Sequence, residues 1–192
     1  QDLNCWDGQL QENAVNQWRD KCSNYKQYNY VPKKWSYQES YVNSYVFADK
    51  LSDALNSDDY VVVDGGGTAL YLGFQGMKLK EGQRITCSSA MSAMGTGIPE
   101  SIGACLANNK NRTICIIGDG SFQLNVQELQ TIVHHKLPIK IFLINNDGYL
   151  AIRHTQEGFL ESNYVGTDKN GGLSLPDSVK ISKAYGLKTT RM

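Results

Sequence analysis

Two short apolar runs, each followed by a polar turn, lie at the centre of the sequence. The first covers residues 113–117 and leads into Gly118-Asp119-Gly120-Ser121, and the second covers residues 139–144 and leads into Asn145-Asn146-Asp147-Gly148. Buried parallel strands are typically continuous apolar runs bounded by turn residues. Between the runs, apolar residues at 124, 126, 129, 132 and 133 predict a helix to residue 135 that begins near Phe122. The pattern predicts a βαβ unit with both polar turns at one edge of a parallel sheet.

Further strands and helices alternate along the rest of the chain. Residues 60–63 and 84–87 are rich in β-branched side chains and predict two more strands. Helical spacing predicts helices over residues 10–22, 43–56, 100–108 with Pro99 in the first turn, 149–154 and 175–185, and a new strand is expected after Gly186. Strands that alternate with helices indicate an α/β protein.

Aromatic residues concentrate before residue 38. Residues 1–38 hold all three tryptophans and four tyrosines, and we interpret them as a linker or strap from a preceding domain, lying over a second domain at residues 39–192. The alternative, a ring-stacking platform for bases or sugars, would need a basic groove that this segment lacks. The chain starts at Gln1 and stops shortly after Gly186, so we expect a fragment whose second domain is truncated at its C-terminal end.

Charge and cysteine usage narrow the class of protein. Nineteen basic residues offset nineteen acidic ones, which argues against nucleic acid or an anionic membrane as the main partner. The five cysteines include no C-x-x-C pair, and Cys105 and Cys115 fall at apolar positions, which fits a reducing compartment. No apolar run approaches the roughly 20 residues of a membrane span, and no signal-peptide pattern opens the chain. We therefore expect a cytoplasmic protein.

Three glycine-rich turns invite a nucleotide-binding interpretation, but their spacing contradicts it. A Rossmann fingerprint needs a third glycine three positions after the second, where this chain has Leu70, Glu100 and Gln123. The sequence also contains no G-x-x-x-x-G-K-[ST] motif. The Gly65-Gly66-Gly67 turn is either a plain tight turn or a place where another group approaches the backbone closely.

The two central turns offer oxygen ligands. Asp119 supplies a carboxylate and Asn146 a carboxamide at one edge of the predicted sheet. Mg²⁺ prefers oxygen ligands in octahedral geometry, often one or two carboxylates together with substrate phosphates. Amide groups at the start of the intervening helix favour an anion at the same place. A diphosphate bridged by Mg²⁺ satisfies both features, and two ordinary solvated turns are the alternative.

A loop at 88–99 is built almost wholly of small residues, and Met94 is expected to protrude from it. Small residues permit the close approach of a flat ligand, whereas a methionine at such a place, taken alone, is more often part of a core. Both interpretations are open on the loop sequence alone.

A family resemblance joins these features. Gly118-Asp119-Gly120, twenty-four further residues and Asn145-Asn146 resemble the cofactor-binding motif of thiamine diphosphate-dependent enzymes. Residues 93–99, residues 118–128 and Leu137-Pro138-Ile139-Lys140 are similar to the large subunit of acetolactate synthase, within a similarity that spans about residues 40–190. The resemblance implies a three-layer, doubly wound, mostly parallel α/β sheet with helices on both faces, the thiamine diphosphate-binding fold.

The resemblance also implies the site residues. The metal ligands would be Asp119, the side chain of Asn146 and the carbonyl of Gly148. Met94 would be the wedge under the bent cofactor, and the carbonyl of Ser92, where family members commonly have glycine, would accept from the exocyclic amine. The other implied cofactor-binding residues are Gly66, Gly67, Thr68, Gly118, Gly120, Ser121 and Leu150, and Asn146 belongs to both sets.

The implied activity is decarboxylation of a 2-keto acid such as pyruvate and transfer of the two-carbon unit to a carbonyl acceptor, with thiamine diphosphate and Mg²⁺ as cofactors. FAD would belong to the full-length protein and not to this domain. The family takes its cofactor-activating glutamate from another domain across a dimer interface. No catalytic residue is therefore assignable here, and we expect an inactive fragment of a homodimer or homotetramer.

The acceptor substrate is left open. Acetolactate synthases carry a tryptophan where this chain has Thr155, and Arg153 and His154 are the candidate substrate-facing residues. A simple decarboxylase or an acyl transferase acting on a keto-sugar nucleotide is the alternative within the family. Outside it, the alternatives are a Rossmann module, which the glycine spacing disfavours, and a structural or regulatory domain without cofactor, which Asp119 and Asn146 disfavour.

Overall fold

The computed structural model describes residues 12–26, 31–36, 40–88 and 90–192. The chain forms two compact units, Gln1–Glu39 and Ser40–Met192. The first unit contains helix α1 (Glu12–Lys26) and a short 3-10 helix (Lys33–Ser36). A helix is thus present where the spacing of residues 10–22 predicts one, although Leu10 lies outside the described residues. The strap role of residues 1–38 stays a prediction.

The second unit alternates strands with helices, as the sequence pattern predicts. Its elements in chain order are α2 (Ser44–Ala54), β1 (Tyr60–Val63), α3 (Gly67–Tyr71) with a π-helical turn (Leu72–Gly76), β2 (Arg84–Cys87), α4 (Gly97–Ala107), β3 (Thr113–Gly118), α5 (Asp119–Leu124), a 3-10 turn (Val126–Glu128), α6 (Leu129–His134), β4 (Ile139–Ile144), α7 (Leu150–Phe159) and α8 (Ser178–Ala184).

The four strands form one parallel sheet in the order β2-β1-β3-β4. Alternate residues of each strand face opposite sides. Ile114 and Ile116 pack with Leu51 of α2 and Leu72 of the π-helical turn on one face, whereas Cys115 and Ile117 pack with residues of α4 to α6 on the other. Both faces are covered by helices, which confirms the α/β fold class.

The strand order places a topological switch between β1 and β3. The chain runs from β1 to β2 in one direction along the sheet, and then returns through α4 to β3 on the other side of β1. Open parallel sheets form a crevice outside the carboxyl ends of the strands at such a point. The turns after β1, β3 and β4 therefore lie side by side.

Several element bounds differ from the sequence-based expectation. The helix expected near Phe122 begins earlier, at Asp119, because polar and glycine residues fit a first helical turn although they carry no apolar periodicity. It is interrupted at Asn125. Helix α3 starts within the glycine run that predicted only a turn. Helix α7 continues to Phe159, and residues 187–192 form no strand. Within the described residues, no helix is long and apolar enough to cross a membrane.

Candidate functional site

A cleft opens at the carboxyl ends of β1, β3 and β4. Its volume is about 380 Å³ including the part open to solvent. The turn after β1, the start of α5, the turn after β4 and the first turn of α7 form its walls, and Met94 contributes from the loop before α4. The lining residues are Gly66, Gly67, Thr68, Ala69, Met94, Gly118, Asp119, Gly120, Ser121, Asn146, Gly148, Tyr149, Leu150, Ala151 and Ile152.

Asp119 is the most deeply placed charged group of the cleft. It is 3% exposed, and its carboxylate accepts hydrogen bonds from the backbone N–H groups of Gly120 (2.8 Å), Asn146 (3.2 Å) and Gly148 (3.1 Å). Burial raises the pKa of the Asp119 carboxyl above its ordinary value, although the three backbone donors oppose this shift. The same bonds tie the turn after β4 to the start of α5.

Asn146 completes a group of oxygen atoms beside Asp119. With its Nδ2 donating to Thr68 Oγ1 (3.0 Å), its Oδ1 lies 2.7 Å from the Gly148 carbonyl oxygen and 3.3 Å from Asp119 Oδ1. In this orientation three oxygen atoms face one another without a proton between them. The reversed amide would instead donate to Gly148 and Asp119 and accept from Thr68. The first orientation is the one that a cation among the three oxygens would stabilise.

The backbone of the turn after β4 is constrained to this arrangement. Asp147 and Gly148 have φ values of +57° and +117°, in the left-handed region. A Cβ at Gly148 would lie 2.3 Å from the carbonyl oxygen of Thr167, so only glycine fits there. The turn can therefore aim the Gly148 carbonyl toward Asn146.

Glycines on the opposite wall bring the backbone close to neighbouring side chains. A Cβ at Gly66 would lie 2.8 Å from Ser121 Oγ, and one at Gly120 would lie 2.3 Å from the Tyr149 ring. A Cβ at Gly67 would lie 2.5 Å from the Ala151 Cβ. Gly66 and Gly67 leave partly exposed backbone beside the hydroxyl group of Thr68, a surface suited to phosphate oxygens, whereas Gly120 and Ser121 are buried.

The Met94 loop brings an apolar side chain to the same cleft. Met94 is 39% exposed, and a Cβ at Gly66 would lie 3.9 Å from its Cγ. Ser92 has φ +47°, so the serine adopts the left-handed backbone that glycine favours. Ser92 is not among the residues that line the cleft. Met94 therefore lines the cleft, and the role of the Ser92 carbonyl stays a prediction.

Arg153 and His154, the candidate substrate-facing residues, do not line the cleft. The Arg153 guanidinium donates to the backbone carbonyls of Asn146 (2.7 Å) and Asp147 (3.1 Å). His154 is exposed on α7. Arg153 therefore supports the turn that carries the oxygen atoms, and the substrate-facing role of Arg153 and His154 stays a prediction.

Asp64 and Tyr149 are two residues of this region that the sequence analysis does not select. Asp64 is fully buried directly after β1 and accepts from three backbone N–H groups. A carboxylate between a buried strand and three glycines is a signal that could have identified it. The ring of Tyr149 covers Gly120, a contact between separate turns that no local pattern reveals.

Cation ligands in this cleft would have to include neutral oxygens. Across the described residues, no group of three or more His, Cys, Asp or Glu side chains is arranged to hold a metal ion. One carboxylate with a carboxamide and a backbone carbonyl suits a hard cation that shares its ligands with a phosphate.

Comparisons with known proteins identify the family of this chain. Residues 64–192 match the family model of the C-terminal TPP-binding domain of thiamine pyrophosphate enzymes. The acetolactate synthase large subunit of Cyanidium caldarium is 40% identical over 118 residues, which are 62% of this chain and 20% of that protein. The large subunit of Porphyra purpurea is 36% identical over 71% of this chain and 22% of its own length.

A bacterial acetolactate synthase subunit is similar to this chain over a comparable length. The large subunit of acetolactate synthase isozyme 2 of Escherichia coli is 33% identical over 72% of this chain and 24% of its own length. The chain thus spans about a fifth to a quarter of the relatives it matches. The expected resemblance to acetolactate synthase large subunits is confirmed. The chain belongs to the thiamine pyrophosphate enzymes and carries the C-terminal TPP-binding domain of that family.

Proposed function

We propose that this chain forms the diphosphate- and metal-binding half of the active site of a 2-keto acid decarboxylase or carboligase resembling acetolactate synthase. The observation that carries the proposal is the group of three oxygens from Asp119, Asn146 and Gly148. When Asn146 points its Oδ1 toward the other two residues, this oxygen lies 2.7 Å from the Gly148 carbonyl oxygen and 3.3 Å from Asp119 Oδ1. Neighbouring ligands of an octahedral Mg²⁺ with bonds near 2.1 Å lie about 3.0 Å apart. The donor set fits this ion.

The remaining residues of the cleft fit a thiamine diphosphate. Gly66 and Gly67 present partly exposed backbone, and the hydroxyl of Thr68 stands beside it, as a diphosphate requires. Gly120 and Ser121 are buried and line the inner part of the cleft. Gly118 and Leu150 line the same walls. Met94 offers an apolar surface that suits the rings of the cofactor better than its phosphates. We therefore assign Met94 to the ring end of the site and the glycines to the diphosphate end.

The residues of this chain would bind and orient the cofactor, and the cofactor would supply a nucleophilic carbon for a 2-keto acid. Asp119 contributes the negative charge that a divalent cation needs in a buried place, and its backbone donors fix the carboxylate. Tyr149 packs over Gly120. Met94 would restrict the position of the cofactor rings, and the activating glutamate would come from another domain.

Assembly and substrates are proposed on the resemblance. A homodimer or homotetramer would supply the missing half of the site, and FAD would bind outside this domain if the full-length protein contains it.

Pyruvate is the proposed donor. Thr155, at the place of the acceptor-pocket tryptophan, is exposed and its hydroxyl donates to the Ala151 carbonyl, so an acceptor other than that of acetolactate synthase is the alternative. The buried thiols of Cys105 and Cys115 support a cytoplasmic location.

Calorimetric titration of the full-length protein with thiamine diphosphate and Mg²⁺ tests the proposal. We expect binding that needs both components and an Asp119→Asn variant whose Mg²⁺ affinity is lower by about a hundredfold, because the only charged ligand is lost. Asp168→Asn, a carboxylate outside the cleft, is the control. Absence of binding to the wild-type protein would refute the cofactor site, and unchanged affinity in Asp119→Asn would refute the metal ligands.

A further inference from the structure

The peptide after Met94 is held from two sides by residues on separate elements. The Gly95 N–H donates to Asp64 Oδ1 (3.0 Å), and the Gly95 carbonyl accepts from Asn125 Nδ2 (2.8 Å). Asp64 follows β1, and Asn125 follows α5. We propose that Asp64 and Asn125 are positioning residues that fix the place of Met94 in the cleft.

Asp64 is built into the centre of this arrangement. Its side chain is fully buried, and Oδ1 accepts from Gly97 N–H (3.0 Å) as well as from Gly95. Its other oxygen, Oδ2, accepts from Gly66 N–H (2.9 Å) on the opposite side. Three backbone donors from two loops thus converge on the two oxygens of one side chain, which favours a fixed geometry. One carboxylate therefore joins the Met94 loop to the glycine turn after β1.

Gly95 packs closely against the end of α5. It has φ +87°, and a Cβ there would lie 2.7 Å from the Leu124 Cβ, so a side chain at this position would be strained. The two hydrogen bonds of Gly95 therefore tie the residue after Met94 both to the end of β1, through Asp64, and to the end of α5, through Asn125.

The positioning of Met94 should affect binding at the ring end of the cleft. The identity of the ligand that binds there rests on the proposed function. Asn125 touches the Met94 loop and lies outside the diphosphate end. Loss of its bond should weaken a ligand that contacts Met94 and spare a ligand that occupies only the diphosphate end. Thiamine diphosphate and inorganic pyrophosphate, each with Mg²⁺, are such a pair.

The first measurement is calorimetric titration of the full-length protein with each of these two ligands. We expect Asn125→Ala to bind thiamine diphosphate about tenfold more weakly and pyrophosphate within about twofold of wild type, as one lost hydrogen bond would produce. Gln130→Ala, an exposed amide on α6, is the matched control and should change neither affinity. Equal loss of both ligands, or unchanged affinity for thiamine diphosphate, would overturn the proposal.

The second measurement needs no ligand. Hydrogen exchange over residues 93–97 should be about tenfold faster in Asn125→Ala, with the amides of β3 unchanged. Asp64→Asn should accelerate exchange in the same segment and around Gly66, provided that it folds. Unchanged exchange in the loop, or uniform acceleration throughout the protein, would overturn the positioning role. If the wild-type protein binds pyrophosphate but no thiamine diphosphate, the proposed function fails, and the exchange result still decides this inference.

Discussion

The side chains of Thr68 and Asn146, 78 positions apart in sequence, are joined by a hydrogen bond of 3.0 Å across the cleft. Thr68 belongs to the first turn of α3, and Asn146 to the turn after β4. The bond holds the Asn146 amide with one terminal atom toward Thr68 and the other toward Asp119 and Gly148. The threonine hydroxyl, which can accept from the amide nitrogen or donate to the amide oxygen, thus holds the Asn146 side chain in place, and the groups of Asp119 and Gly148 on its other side decide which atom faces them.

Thr68→Val should therefore weaken cation binding without a large change in fold. Valine matches the shape of threonine but lacks the hydroxyl, so Asn146 loses the partner that holds it in place. We expect Mg²⁺ affinity in the presence of thiamine diphosphate to fall about fivefold, equivalent to roughly 1 kcal/mol. Thr155→Val, where the hydroxyl only donates to the Ala151 carbonyl on α7, is the control. Equal Mg²⁺ affinities of the two variants in a calorimetric titration would contradict this role.

Arg153→Ala tests whether Arg153 supports the turn after β4 or contacts a substrate. Its guanidinium donates to the Asn146 and Asp147 carbonyls, and both bonds would be lost. We expect Mg²⁺ affinity to fall by about five- to tenfold, since a charged donor typically contributes more than a neutral one. Acceptor preference in the full-length enzyme should stay the same. A changed preference with unchanged metal affinity would support the substrate-facing role instead. His154→Ala on the exposed side of α7 is the control for the metal affinity alone.

Gly148→Ala should destabilise the protein strongly. The residue has φ +117°, and the new methyl group would lie 2.3 Å from the Thr167 carbonyl oxygen. We expect the free energy of unfolding to fall by at least about 2 kcal/mol. Gly158→Ala provides the matched control, because a Cβ there meets nothing within 4 Å and the residue lies in α7. Urea denaturation of both variants measures the difference, and similar midpoints would contradict the strain.

The ion pair between Arg112 and Asp59 predicts a pH-dependent stability. Asp59 is 2% exposed, and its carboxylate accepts from the Arg112 guanidinium, including Nε at 2.6 Å. Burial raises the pKa of the Asp59 carboxyl, but the bonds from Arg112 and Asn56 outweigh it, so the pKa lies below its ordinary value. A lowered pKa in the folded state stabilises the protein above the ordinary pKa of Asp, and this contribution is lost as pH falls through the lowered value.

Arg112→Gln should therefore lower the free energy of unfolding by about 2 kcal/mol at pH 7. The difference from wild type should shrink as the pH decreases below about 4, where the unfolded carboxyl takes up its proton. Urea denaturation at several pH values measures both effects. A difference that is the same at pH 7 and at acidic pH would contradict the pairing. Lys110→Gln, a cation on the exposed turn before β3, is the control.

The sequence alone predicted the central βαβ unit and the meeting of its two polar turns at one edge of the sheet. The runs at 113–117 and 139–144 are apolar at every position or nearly so, and such runs are stable only when helices cover both faces of a parallel sheet. The polar turns after them had to meet at one edge, because parallel strands end on the same side. Local pattern was therefore sufficient to predict that Asp119 and Asn146 lie together.

Only the tertiary structure decided how the turns are held. Arg153 contacts loop carbonyls, Asp64 joins two loops, and the contact between Thr68 and Asn146 spans 78 positions. The apolar periodicity likewise did not predict that α5 starts at Asp119. Such contacts depend on which side chains the strand order β2-β1-β3-β4 brings within hydrogen-bond distance, and no spacing within a single segment encodes that distance.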